Sequence, residues 1–486
     1  LEEIGFPSSE QIDWDQIASI AFPALGRPPA PSGNEGVQMR FRKDESGQMI
    51  VMLAVSMTAL MAFMALAVDV GILFHVRREV QIAADAAAMA GALDYHYNQS
   101  QSLARTAAQT AASQNGVSSG SVNVTFPTSG SYGSPYTTVF VQAIVTVPNP
   151  TMFMRLFGMT SVNLVSSAVA GQGASQGCVW SLGVSGTDIS GSGALTATGC
   201  EIYDNSSSGS ALDLSGGGSI SAKQVGVTGG SIGSVNPRAI RGMIPVKDPL
   251  AGLAAPGIPG SSGSGCTKQK TYTRGFHTLA SGCYDGILIS GGSLTLTGGN
   301  YVINGDITIT GGASVTFDSG NYIINGNLAH SSGGTVTLNS GSYTISGALS
   351  NSGGGPLSLS SGQYVAEGGL DLTGPGAVTG AGVSFYTGGS STLSGSMNLT
   401  APIGGAENGI LIFQAGGTLT ILETGNMTLQ GIVYAPSAPL TVGGAGSSSV
   451  YADFVVGSLN ITGTPQLQNY ALINKGTPLT KIVMVQ

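Results

Sequence analysis

The stretch YVINGDITITGGASVTFDSGN, residues 301–321, decides how this chain folds. Its first position recurs every 21 residues as Tyr301, Tyr322, Tyr343, Tyr364 and Phe385. Gly305, Gly326, Gly347 and Gly368 keep the same step, as do Ile307, Leu328, Leu349 and Leu370, and Leu294, Val315, Val336, Leu357 and Val378. Several columns sharing one fixed period mark a repeat architecture. Within each unit, three short alternating runs are separated by Asn-Gly, Gly-Gly and Ser-Gly turns. Side chains of a strand alternate between its faces, so Tyr301, Ile303, Ile307 and Ile309 can share one interior. Three strands per coil describe a mainly β chain: a parallel β-helix, expected to be right-handed, with coils about 4.8 Å apart. Glycine is expected at the corners, where it supplies positive φ. About nine coils fit between Tyr284 and Asn469. The tyrosine column is expected inside, with Ile303 and Ile324; an outward aromatic platform for sugars is the alternative.

Outward from this core array (residues 266–470), a shorter array of the same kind occupies 173–245. The two are joined by a Pro/Gly linker at 246–265, and 471–486 reads as a tail. Cys178 and Cys200 stand at equivalent positions of neighbouring coils, within the Cα separation a disulfide tolerates. Four cysteines allow three pairings. Cys178–Cys200 with Cys266–Cys283 is the favoured set, with buried free thiols as the alternative. Disulfides would place these arrays in an oxidising compartment outside the cytoplasm.

Toward the N-terminus, residues 49–68 run without a charge as MIVMLAVSMTALMAFMALAV. Twenty such residues span a bilayer core of about 30 Å. Residues 49–69 are therefore expected to be a single transmembrane helix, with a cleaved signal peptide as the alternative. Arg40, Arg42 and Lys43 in the short basic segment 39–48 favour a cytoplasmic N-terminus. Residues 1–38 hold six acids and one base and show no sustained period. They read as a disordered tail, or as upstream sequence if translation starts at Met39. After the span, Val76, Val80, Ala83, Ala84 and Ala87 form one helical stripe. A second helix over 102–113 stops at Asn115 and Gly116. Strands are expected at 122–126, 138–147 and 161–170, which makes 70–172 a small α+β module.

Here the sequence resembles a known family. The runs ESGQMIV (45–51), ALAVDVG (65–71) and RREVQIAADAAAMAGAL (77–93) are similar to the N-terminal signature of TadG-like proteins of the Flp/Tad pilus-assembly system. NPTMFMRLFGMTSVNLVSSAVA (149–170) resembles the closing part of that module, so the likeness covers about 40–172. Pilins cleaved by prepilin peptidase carry a Glu five residues after the cleavage Gly. Counting from Gly47, Met52 stands there, so the resemblance does not imply a filament subunit. It implies an envelope protein tied to pilus biogenesis or surface attachment, held in a bacterial inner membrane. Its C-terminal β-helix would lie in the periplasm or at the cell surface. Other Tad pilus-assembly proteins, or further copies of the chain, would be its partners.

Composition narrows the remaining classes. Of 486 residues 76 are glycine, 13 of them in 1–172 and 63 beyond, so the excess belongs to the arrays. Charged residues make up only 9%, and no Lys or Arg occurs between Arg274 and Lys475. A surface that grips phosphates needs cations, which excludes nucleic acid as the partner of the main array. The segment DISGS at 188–192 matches the DxSxS metal-ion pattern of von Willebrand A domains, but GVSGT rather than a buried strand precedes it. DLSGG recurs at Asp213, so both read as coil turns. A β-helix enzyme needs carboxylates clustered in one groove. The column of Asp306 continues as Asn327, Ala348 and Gly369. His75, His96, His277 and His330 lack metal-ligand spacing. No catalytic, metal or cofactor site is expected. The outward faces, rich in Thr, Ser and Asn, suit a glycan, an abiotic surface or self-association, and edge strands without Lys lack the usual guard against end-to-end pairing.

Overall fold

The computed structural model describes residues 46–127, 140–184, 186–257, 265–424, 426–444, 449–474 and 477–484. Residues 1–38, Met39, Arg40, Arg42, Lys43, the first residues of the 138–147 strand and the 258–264 part of the linker lie outside the described residues. The chain divides into two compact units, Leu1–Asp69 and Val70–Gln486. In the first, helix α1 (Ser46–Asn98) carries the apolar run, whose large side chains from Met49 to Val68 stand exposed. By length and composition this helix can cross a bilayer core.

In the second unit the remainder of α1 buries Val80, Ala83, Ala84, Ala87, Ala88 and Ala92. They pack on Ala108 and Ala112 of α2 (Gln101–Gln114) and on a sheet of β1 (Val122–Thr125), β2 (Phe140–Pro150) and β3 (Ser161–Ala174). Small side chains let these layers approach closely. At Gly91 an added Cβ would lie 2.9 Å from Val141 Cγ1 and 3.2 Å from the Ala104 carbonyl oxygen. The sheet has a fourth strand that sequence reading leaves in the tail. Thr480–Met484 pairs antiparallel with β3, from Ala170 with Met484 to Ala174 with Thr480. It occupies a β3 edge whose N–H and C=O groups would otherwise lack partners.

Between β3 and that last strand the chain builds a parallel β-solenoid of about 13 turns. Registers keep the 21-residue step: Tyr301 lies beside Tyr322, Tyr322 beside Tyr343, Tyr343 beside Tyr364 and Tyr364 beside Phe385. The two arrays are not separate. Phe454 pairs with Val179 and Leu459 with Ile189, so the end of the longer array stacks directly on the start of the shorter one. The stack therefore runs from 267 to 468 and then from 177 to 241. Inward residues Phe454, Val179, Ile202 and Val225 continue one column across the junction. The chain enters and leaves the solenoid side by side: the Asn469 amide donates to the carbonyls of Ser175 (3.2 Å) and Gly177 (2.9 Å). The α+β module thus hangs on an interior coil.

Two expectations need correction. Glycines such as Gly292, Gly311 and Gly382 do adopt positive φ, but the repeated column Gly305, Gly326, Gly347 and Gly368 does not. Their requirement is space. A Cβ on Gly347 would sit 2.7 Å from the Gly326 carbonyl oxygen, and one on Gly368 would sit 2.6 Å from the Gly347 carbonyl carbon. Successive corners stack backbone on backbone. The edges are also not free of cations. Lys268, Lys270 and Arg274 belong to the coil at one end, whose strand Lys270–Tyr272 pairs with Ile287–Ile289. Arg238 and Arg241 belong to the other end, with Pro237 between the edge strands Ser234–Asn236 and Ile240–Arg241. Between the ends, Lys223 in the paired strand Ser219–Val227 is a cation too, but the coils from 275 to 474 hold no Lys or Arg, and there no edge needs guarding.

Candidate interaction surfaces

The solenoid has an inner ladder, covered and uncovered outer faces, and two cross-links. Tyr301, Tyr322, Tyr343, Tyr364 and Phe385 are fully buried. The first three ring pairs stack with centroids 4.9, 4.9 and 5.1 Å apart, close to the coil spacing. Each tyrosine hydroxyl donates to the carbonyl four residues earlier: Tyr322 to Asp318 (2.5 Å), Tyr343 to Asn339 (2.6 Å) and Tyr364 to Ser360 (2.7 Å). Burial pushes these phenols well above their ordinary range. An interior column with satisfied hydroxyls offers nothing to an external sugar.

Cys178 is bonded to Cys200 across neighbouring coils, with Cα atoms 5.4 Å apart. Cys266 is bonded to Cys283, with Cα atoms 4.7 Å apart. The second bond ties the end of the linker to the first coil.

The acids are dispersed. Asp306 Oδ1 accepts from the Asn327 backbone N–H (2.7 Å), and Asn327 Oδ1 accepts from that of Ala348 (2.9 Å). This ladder bridges three coils beside the glycine corners. Asp213 accepts from Ser215 N–H in an exposed turn (2.9 Å). Asp188 instead turns inward against Gly183, and burial raises its carboxyl to about 6. Asp204 rises to about 7 through burial, with repulsion from Asp188 adding to it. Ser190 lies within the strand Ile189–Gly191. His330 is buried, its Nε2 3.0 Å from Ser332 Oγ and from the Gly334 carbonyl. Burial lowers its pKa. Among the described residues no group of three or more His, Cys, Asp and Glu could hold a metal ion.

One outer face is a line of hydroxyl and amide side chains. Thr295, Thr316, Thr337, Ser358, Thr379, Asn398 and Thr428 lie side by side on successive coils, none of them buried. A second outer face is apolar, and sequence reading missed it. Tyr386, Phe413, Tyr434, Val455, Trp180 and Tyr203 form a register column one residue after the inner one. The linker covers part of this column. Val246, Leu250 and Leu253 pack on it, joined by Tyr470 and Leu479. Asn205 holds the Val246 backbone through two hydrogen bonds of 2.7 Å, and the Tyr434 hydroxyl donates to Asp248 Oδ2 at 2.8 Å. Lys247 Nζ stands 4.3 Å above the Tyr97 ring of α1, which joins the linker to the α+β module as well. The linker is therefore a strap. The signal for it is a break in alternation, since consecutive apolar pairs occur at 385–386, 412–413, 433–434, 454–455, 179–180 and 202–203.

Residues 47–94 match the family described as putative Flp pilus-assembly TadE/G-like. Residues 320–471 match a family described as a domain of unknown function, DUF7305. The first match covers most of α1 and carries the TadG-like character read from the sequence. The second covers coils from the inner ladder to the strap's aromatic column. No curated protein and no solved structure matches the chain.

Proposed function

We propose that this chain is an exported structural protein of the Flp/Tad pilus-assembly or surface-attachment system. α1 anchors it in the inner membrane with the N-terminus in the cytoplasm, and the solenoid stands outside as a non-enzymatic scaffold. The observation that carries this reading is the TadE/G-like match on a helix whose apolar run, Met49 to Val68, leaves its large side chains exposed. Two disulfides fit an oxidising compartment. Its partners would be other pilus-assembly proteins or the envelope itself, without nucleic acid or cofactor.

The hydroxyl line from Thr295 to Thr428 favours a second reading, an adhesin or glycan-binding module that shares the anchor but is not needed for piliation. A deletion strain separates the two. Loss of pili supports the assembly role, whereas normal pili with impaired attachment moves the function to the outer face. Protease shaving of intact cells, with a non-reducing gel of the released fragment, tests export and cross-links together.

A further inference from the structure

The hairpin joining β2 and β3 ends in TMFMRLFGMT, residues 151–160. Leu156 and Phe157 are each 80% exposed, and Met152, Phe153 and Met159 are exposed beside them. The tip is well formed. Thr151 N–H donates to the Thr160 carbonyl (3.2 Å), residues Met154–Phe157 form a 3-10 turn, and Gly158 closes it with φ of 85°. A built turn that holds large apolar side chains outward calls for an apolar environment.

Its chemistry narrows the occupant. Between Arg105 and Asp188 the sequence holds one charged residue, Arg155, and it sits in this tip. Apolar side chains around a lone cation, with no acid, suit the boundary between acyl chains and phosphate headgroups, where an arginine can extend to the anionic layer. The direction of the hairpin agrees. Gln81 of α1 donates to the Ser167 carbonyl of β3 (3.3 Å), whereas Gly91 lies against Val141, the partner of Ala170. Moving back along α1 therefore moves back along β3, toward the tip. From Ser167 to Thr160 the strand covers about 23 Å. From Gln81 to Val70 the helix covers about 16 Å. Even running obliquely, the hairpin reaches the level of Val70, where the chain passes into its apolar run.

We infer that this hairpin tip is a second membrane contact, inserted shallowly into the lipid interface on the side where α1 emerges. The inference rests on α1 being the anchor.

The test uses the full chain in vesicles of phosphatidylethanolamine with a minor share of phosphatidylglycerol. With the four native cysteines in disulfides, a single added thiol takes an environment-sensitive nitrobenzoxadiazole label. Phe157→Cys and Leu156→Cys are compared with Phe63→Cys in the apolar run and Thr337→Cys on the solenoid. The expected result is blue-shifted emission at 156 and 157, quenched by lipids spin-labelled near the headgroup. The label at 63 should respond to deep spin labels, and the label at 337 only to aqueous iodide. Iodide quenching at 157 equal to that at 337, with 63 still in lipid, overturns the tip contact alone. A label at 63 in water overturns the anchor. A label at 157 shielded from both lipid and iodide overturns the inference in favour of a protein partner.

Discussion

Tyr434 and Asp248, far apart in sequence, are joined by a 2.8 Å hydrogen bond that ties the strap to the outer aromatic column. The contact lies between Leu250, buried on the same column, and the Asn205 clamp on Val246. The strap thus closes an apolar face that the coils alone leave open.

Leu250→Ala should cost about 2–4 kcal/mol, since it removes a buried side chain whose site cannot fully collapse. Tyr434→Phe should cost about 1 kcal/mol, through loss of one hydrogen bond. Chemical denaturation measures both. Limited proteolysis should show faster cleavage within 242–257 in the Leu250 variant, while the solenoid coils resist as before. Unchanged cleavage there would mean the strap is held elsewhere.

Stacked corners predict a sharp positional contrast. Gly347→Ala drives a methyl into the Gly326 backbone and should destabilise the fold by more than about 2 kcal/mol. Gly354→Ala meets nothing within 4 Å and needs no positive φ, so it should change stability by less than about 0.5 kcal/mol. Thermal unfolding of the pair distinguishes crowding from a general need for glycine.

The inner and outer columns differ in how much of each could be read from sequence. Tyr301 to Phe385 repeat one aromatic type at one period, so both the coil length and the inward face follow from five letters. The stacking of Val179 on Phe454 leaves no such trace. Around the junction the column changes among Phe, Val and Ile, and coil lengths drift from the 21-residue step, so the two arrays look independent. The Thr480–Met484 strand is too short to show a pattern, and only the edge of β3 explains it. The strap was hidden for another reason: Pro and Gly at 249–257 signal a linker, and nothing local tells that its Val246 and Leu250 have a partner surface.

Charge at the two end coils should keep the solenoid from extending by self-pairing. Replacing Lys268, Lys270, Arg238 and Arg241 by threonine together removes that guard without touching the inner columns. Analytical ultracentrifugation of the detergent-solubilised chain should then show concentration-dependent association absent from the parent. A parent that already associates end to end would refute the assignment of these cations.

Buried acids set a pH dependence. Burial raises Asp204 to about 7 and Asp453 to about 8, while Tyr470 N–H donates to Asp453 (3.1 Å). In the unfolded chain such acids titrate near about 3.9. The folded state therefore favours the protonated acids. Their contribution is full below about pH 4 and is lost as pH rises through about 7 to 8. Asp453→Asn should be more stable than the parent near pH 9, by about 1–3 kcal/mol, with the advantage shrinking toward pH 5. An advantage that grew with acidity would reverse the assignment.

Coil order and chain order disagree, and this bears on how the protein can be made. A chain delivered amino end first presents residues 177–241 long before 449–461, the coil on which they stack. Until then the strand edge at Val179 has no neighbour on that side, and β3 awaits residues 480–484. Such distant closures are slow to form. Residues 265–444, by contrast, can add coil upon coil as they arrive. Completion therefore occurs at the middle of the stack, when the final segment locks two earlier pieces at once. Removing even the last forty residues would open the amino-terminal coils and the sheet together, although the coils at 177–241 and strands β1 to β3 lie outside the deleted segment.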